Sequence, residues 1–437
     1  MKTKNRAPAG RNLLYSQAER DLAAALASLL ASRAAPADVL ARTEQPLTGD
    51  SGLWATVAAE IGIAGLLIPE ALGGAGGSYT EFAAAAEQFG AAVAPIPYLG
   101  SAAVATAVLL SVAKDAAASA AASAAGAASE APFVPGLTGP AAFAQAAAFR
   151  ARAAAAAAGP APEALAAGVL RRMAGGATTA ALAVDATTAP GAPFPAIARV
   201  AGHGGAGPGD VRLRGAIKAV ADALPADVLL VPADGVPAGL YLVEVNAPGV
   251  HRTPVTSLDM TRQLCDITLD DAPARPIAVG AAADAAVAAG LTAGAAMLAA
   301  EQLGLARHCL ELTVAYGQER RQFNRPIGSF QGVKHRLADL WTTITLAAAV
   351  SRYAAACLAA DDPDTPVAVA LAKSACCDAA VTAAQECVQL HGGIGFTWAH
   401  PAHLYLKRAK AASVFFGTPG AHRARLATLV DLPPPEA

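Results

Sequence analysis

The hydrophobic period of this chain changes twice, and that double change restricts the fold more than any other feature. Apolar residues recur with helical spacing over 17–34, 51–63, 80–92 and 101–112. From about residue 178 they fall into short runs: Ala180 to Val184, Val211 to Leu213, Val228 to Val231, Gly239 to Val245 and Cys265 to Leu269, separated by Gly and Pro. Such runs read as strands of a small β domain. Beyond Val279 helical spacing returns over 282–318, 331–360 and 366–391, with a shorter helix to follow. That is the pattern of a four-helix bundle. The expected fold is mainly α with a central β domain, divided as 1–135, 136–278 and 279–437. Two stretches, 114–132 and 150–167, are nearly pure alanine; they offer little core material and are expected to be loosely packed insertions.

Length supports more than one domain, since 437 residues exceed a single ordinary core. Hydrophobic residues make up 54% and charged residues 15%, with alanine, the best helix former, dominating. A net charge of −2 gives no basic field for nucleic acid or an anionic membrane. The apolar runs at 280–300 and 341–360 are alanine-rich and interrupted by Gly290, Arg352 and Tyr353, so buried bundle helices are expected there rather than membrane spans. The basic start Met1-Lys2-Thr3-Lys4-Asn5-Arg6 lacks the apolar core of a secretory signal. Six cysteines without a C-x-x-C pair read as buried, reduced thiols, which places the chain in the cytoplasm and predicts no metal site.

Motifs concentrate after residue 298. Tyr316-Gly317-Gln318-Glu319-Arg320-Arg321-Gln322-Phe323 is followed by Pro326-Ile327-Gly328-Ser329-Phe330-Gln331, then by Gln389-Leu390-His391-Gly392-Gly393-Ile394-Gly395-Phe396-Thr397-Trp398 and Phe416-Gly417-Thr418. Taken singly, each has an ordinary reading: an arginine after a helix is usually a solvated charge, and a glycine pair is usually a turn. In this order, the pieces closely resemble the C-terminal half of the acyl-CoA dehydrogenase family. Leu66-Leu67-Ile68-Pro69-Glu70-Ala71-Leu72-Gly73-Gly74 resembles a marker in its N-terminal half.

The resemblance implies an FAD held across a subunit interface. Arg320 would pair with its pyrophosphate, where a guanidinium fork suits phosphate oxygens. Phe323 would pack on the dinucleotide and Gln331 would hydrogen-bond it. Gln389, Gly392 and Gly393 would form the loop beneath it, and Thr418 would reach the adenosine. On the flavin-ring side the family's Thr-Glu-Pro and Gly-Ser-Asp turn is replaced by Ala183 to Gly191, where Thr187 or Thr188 could substitute. Its tryptophan place falls on alanine within Gly215 to Asp222. The Trp-Glu-His-Asp of bacterial relatives has become Trp398-Ala399-His400-Pro401.

The reaction implied is α,β-dehydrogenation of an acyl-CoA thioester to a trans-2-enoyl-CoA, with electrons passed to an electron-transferring flavoprotein. It needs a desolvated carboxylate to take the α-proton. The family's two positions for that glutamate fall on Phe416 and Gly294, and neither side chain takes a proton. Glu301, at i+7 from Gly294, is the lone carboxylate of the apolar run 285–306. Such a group is either held by structural polar bonds or functionally perturbed, and Glu301 is the candidate base. His391, His400 and His403 lie nearby in sequence. Three functions follow: a homodimeric or homotetrameric dehydrogenase, a non-catalytic subunit in a heterotetramer with a catalytic paralogue, or an oxidase or hydroxylase of a non-thioester substrate.

Overall fold

A computed structural model describes residues 13–45, 47–114, 161–203, 211–235 and 237–433. The boundary expected at 135, and most of the two alanine-rich stretches, lie outside the described residues. Five helices come first: α1 Gln17–Arg33, α2 Pro36–Arg42, α3 Ser51–Ala55, α4 Tyr79–Ala91 and α5 Tyr98–Lys114. Capping boxes start α1 at Ser16 with Glu19, and α4 at Ser78 with Glu81. Each satisfies two N–H groups that the helix itself leaves free. Helix α6, Pro162–Ala174, overlaps the second alanine-rich stretch and buries Ala166, Val169, Leu170 and Met173. This part of the stretch therefore packs through the larger residues at its C-terminal end.

Seven strands follow: β1 Ala180–Leu182, β2 Ala198–His203, β3 Val211–Ala221, β4 Val228–Asp234, β5 Gly239–Glu244, β6 Val250–Val255 and β7 Leu264–Val279. Pairing runs β4–β2–β3–β7–β5 and returns from β5 to β4, so the sheet closes on itself as a small barrel. Leu213, Ile217, Leu229, Val231, Tyr241, Val243 and Ile267 fill one side of it. Strand β6 escaped sequence reading because it pairs only with β7 and keeps Arg252, Thr253 and Pro254 at the surface or nearly so. Without a buried face there is no alternation to detect.

The bundle consists of α7 Ala281–Glu319, α8 Gln331–Ala359 and α9 Thr365–His391, followed by the shorter α10 Ala402–Ala412 and α11 Pro419–Leu429. Its core is continuous with that of the N-terminal helices. Helices α4 and α7 cross at backbone contact: a Cβ on Gly90 would lie 1.9 Å from the Glu301 carbonyl oxygen, and one on Gly304 would lie 1.8 Å from that of Glu87. Helices α7, α8 and the 365–396 segment are long and apolar enough to cross a membrane by length and composition. Their apolar windows are 61%, 39% and 67% buried inside the protein, so packing accounts for the first and third more fully than for α8.

Candidate functional site

One end of the bundle gathers most of the residues the sequence singles out. Helix α7 stops at Glu319, and the Arg320 N–H returns to the Tyr316 carbonyl at 2.8 Å. A two-residue hairpin follows, pairing Arg321 with Pro326 and Gln322 with Arg325. Phe323 and Asn324 at its tip both take left-handed backbone, at φ 50° and 63°. That geometry suits a primed turn, for which Asn and Gly are the usual residues. A bulky Phe held there, 88% exposed, is a strained display of an apolar ring.

Helix α9 reaches the same end. Its last residue, His391, stacks on Tyr316 with ring centroids 4.3 Å apart, and His400 lies 4.4 Å beyond. Gly392 then takes φ 62° and ψ −142°, backbone that side chains other than hydrogen rarely allow. A Cβ built on Gly392 or Gly393 meets nothing within 4 Å, so this chain's own packing does not demand bare backbone at Gly393. Arg320, Gln331, Gln389, Gly392 and Gly393 are all exposed, and the Arg320 guanidinium has no partner among the described residues. The donors exposed at this end fit a dinucleotide with a pyrophosphate.

Thr418 is not part of this cluster within one chain. It caps α11, its Oγ1 accepting the Ala421 N–H at 3.2 Å. The adjoining Gly417 carbonyl accepts from Lys373 Nζ at 3.2 Å. Lys373 precedes His391 by five turns of α9, about 27 Å at 1.5 Å per residue.

The two base positions meet face to face. A Cβ on Gly294 would lie 2.6 Å from Phe416 Cζ and 2.8 Å from Val104 Cγ2. The Phe416 ring, 7% exposed, therefore fills the space above Gly294. Phe416 itself is left-handed at φ 53°. It is fixed by its N–H donating to the Ala186 carbonyl at 2.8 Å and its carbonyl accepting from His422 Nε2 at 2.8 Å. The Ala186 N–H donates in turn to the Ala219 carbonyl at 3.2 Å. Ala219, within the Gly215–Asp222 stretch, and the Ala183–Gly191 loop are thus joined to the Phe416 turn by direct backbone bonds. The Thr187 hydroxyl is taken by Asp185 at 2.6 Å.

Glu301 is not a poised base, which corrects the sequence expectation. It is fully buried where the N-terminal helices, barrel and bundle meet. Its carboxylate accepts from Arg408 Nε at 2.9 Å and Arg408 NH2 at 3.2 Å, and also from Arg262 NH2 and the Tyr98 hydroxyl. Arg408 NH1 continues to Asp259 at 3.2 Å and Thr261 at 3.0 Å. Burial alone pushes the carboxyl up, but Arg262 and Arg408 outweigh it and hold the pKa at about 2. A group so acidic and so fully bonded is a poor proton acceptor. Arg408 and Arg262 were not legible as its partners, because they come from distant segments. The alternative reading of Glu301, structural polar bonding, describes what is there.

Among the described residues no group of three or more His, Cys, Asp or Glu is arranged to hold a metal. All six cysteines are buried, and none is in a disulfide.

Comparison with known proteins agrees with this architecture. The family description "Acyl-CoA dehydrogenase, C-terminal domain" matches residues 284–430, and "Acyl-CoA dehydrogenase, N-terminal domain" matches residues 16–120. The chain is 32% identical over 394 residues to the Mycobacterium tuberculosis protein named acyl-CoA dehydrogenase IpdE2, covering 90% of this chain and 91% of that one. The crystal structure of the ChsE4-ChsE5 complex from the same organism superposes with a TM-score of 0.74 at 25% identity, covering 97% of this chain and 100% of the other. Butyryl-CoA dehydrogenase from Megasphaera elsdenii, at 19% identity, shares the fold with a TM-score of 0.74, over 96% of this chain and 100% of that one. The chain belongs to the acyl-CoA dehydrogenase family.

Proposed function

We propose that this chain is the supporting subunit of a heteromeric, FAD-dependent acyl-CoA dehydrogenase whose catalytic carboxylate resides on a paralogous partner. The observation that carries this reading is Phe416 packed on Gly294: both places for a base lack a carboxylate, and the ring occupies the room one would need. Glu301, the nearest carboxylate along α7, is spent on two guanidiniums. Meanwhile Arg320, Phe323, Gln331, Gln389 and the glycine pair stand exposed, ready to hold the dinucleotide of an FAD seated mainly in the partner. FAD, when bound, supplies the hydride acceptor; this chain's residues bind and orient its phosphates. Electrons would leave to an electron-transferring flavoprotein. A heteromeric assembly is known for the ChsE4-ChsE5 complex, which supports the arrangement by likeness.

The test is to purify the chain alone and together with a paralogue of the same family that carries the glutamate. Alone, no flavin absorbance is bleached by acyl-CoA. Together, the pair contains FAD, turns over acyl-CoA, and loses flavin when Arg320 of this chain is changed to Ala. Full turnover by the isolated chain overturns the reading and restores a self-sufficient dehydrogenase.

A further inference from the structure

Lys373 lies in the interior of α9, wholly buried, and no carboxylate pairs with it among the described residues. Lysines are rarely buried without such a partner, because the interior does not replace the water stripped from the charge. A Leu or Met would fill the same room without that cost. What the ammonium does here is bond. Its three donors meet Cys377 Sγ at 3.1 Å, the Ala412 carbonyl at 3.3 Å and the Gly417 carbonyl at 3.2 Å. Ala412 ends α10, where carbonyls lack partners within the helix. Gly417 stands just before Thr418, the cap of α11. One side chain from α9 therefore closes the connection between those two helices at both ends.

Phe416 lies inside that clasp. It and Gly417 take consecutive left-handed backbone, at φ 53° and 95°, which is costly for a residue that carries a side chain. Strain of this kind persists only where the surroundings over-determine it. A second hold comes from His422, 2% exposed, whose Nε2–H donates to the Phe416 carbonyl at 2.8 Å. A third is the Ala186 carbonyl, which accepts the Phe416 N–H. The turn is thus gripped from α9, from α11 and from the loop after β1. Its ring is fixed where a Cβ on Gly294 would lie 2.6 Å from Cζ. The atoms nearest that Cβ belong to Phe416 and Val104, not to Lys373. Any effect of Lys373 on Gly294 must pass through the turn.

We propose that Lys373 and His422 are positioning residues which, through the Gly417 and Phe416 carbonyls, hold the Phe416 ring over Gly294 and keep this chain's own thioester space shut. That the space is the thioester's rests on the supporting-subunit reading; that the two side chains fix the ring does not. Two measurements on the full chain test it: calorimetric titration with butanoyl-CoA, and urea midpoints for a double-mutant cycle. Wild type should give no binding heat. Phe416→Ala should bind, and Lys373→Met and His422→Leu should bind about tenfold more weakly, their ring released but still present. His422→Gln, which keeps a donor, should behave as wild type. Gly294→Ala should lower the wild-type midpoint, because a clash with a fixed ring outweighs the better helix propensity of alanine. In Lys373→Met that shift should shrink to about half, with Val104 still meeting the methyl. A lysine that only stabilises the fold would leave it unchanged.

Should Lys373→Met fail to fold, His422→Leu carries both comparisons. Binding by wild type as strong as that of Phe416→Ala overturns the supporting-subunit reading and the shut space with it. Silence of Phe416→Ala overturns the ring as what shuts the space. Lys373→Met and His422→Leu as silent as wild type, or an undiminished Gly294→Ala shift in both, overturns the positioning role and leaves the supporting-subunit reading standing.

Discussion

The charged junction around Glu301 and the far end of the bundle contrast in who satisfies their polar groups. At the junction, Glu301, Arg408, Asp259, Thr261 and Tyr98 bond to one another at near-zero exposure, and Arg262 NH2 joins them. At the bundle end, the Arg320 guanidinium has no partner among the described residues, Phe323 is strained and exposed, and Gly393 has open space where a side chain would go. Both regions carry charge, yet one spends nearly all of it internally, Arg262 NH1 being buried without a partner among the described residues, and the other offers it outward. A functional group is recognised by what the chain leaves undone for it. By that criterion the bundle end is the surface we propose for the dinucleotide, and the carboxylate that looked catalytic is a joint between domains.

The contrast breaks most visibly at Glu301. Glu301→Ala strands two buried guanidiniums and should cost about 3–5 kcal/mol in urea unfolding, enough to lose the folded chain. A change under 1 kcal/mol would show that the junction is not self-satisfied. The pH dependence has a definite sign. Because the folded pKa lies below the ordinary carboxylate value, the stabilisation from Glu301 is fully present above about pH 4.5 and is lost as pH falls through about 2. Thermal unfolding of the wild type should therefore fall across that window more steeply than that of Glu301→Gln, where the titrating group is gone.

At the other region stability and binding should separate. Arg320→Ala should leave unfolding within about 0.5 kcal/mol of wild type, while FAD affinity of the assembled protein falls about 10- to 100-fold. If both fall together, Arg320 is holding the fold instead. Gly393→Ala meets no atom of its own chain. Its stability should be unchanged, with FAD affinity lowered about tenfold by a methyl standing where the ligand approaches. The smallest effect is expected at Phe323. Phe323→Asn relieves left-handed strain and should raise stability by up to about 1 kcal/mol while weakening FAD retention. A variant both more stable and equally flavinated would mean the displayed ring does not touch the flavin.

Much of the fold was legible from pattern. The return of helical spacing after Val279 coincides with β7 ending there and α7 beginning at Ala281, because a bundle helix must bury a stripe and the stripe has a period. Strand β6 was not legible, since an edge that buries no face leaves no alternation. Arg320 and the glycine pair could be proposed as a site from sequence because their chemistry is local: one fork, one bare backbone. Their convergence was not, and it depends on Tyr316 stacking against His391 between two helices.

Sequence by itself determined the order of helical, barrel and bundle segments, the absence of a carboxylate at 294 and 416, and the residues we propose for a dinucleotide. Each of these is a property of a short stretch, fixed by side-chain type and spacing. Only the tertiary structure decided that Phe416 covers Gly294, that Thr418 sits far along α9 from the glycine pair, and that Glu301 is acidic rather than basic. The last depends on Arg262 and Arg408, brought from 39 positions before it and 107 after it. A carboxyl's proton affinity is set by the charges and solvent around it in space, and chain order does not contain that distance.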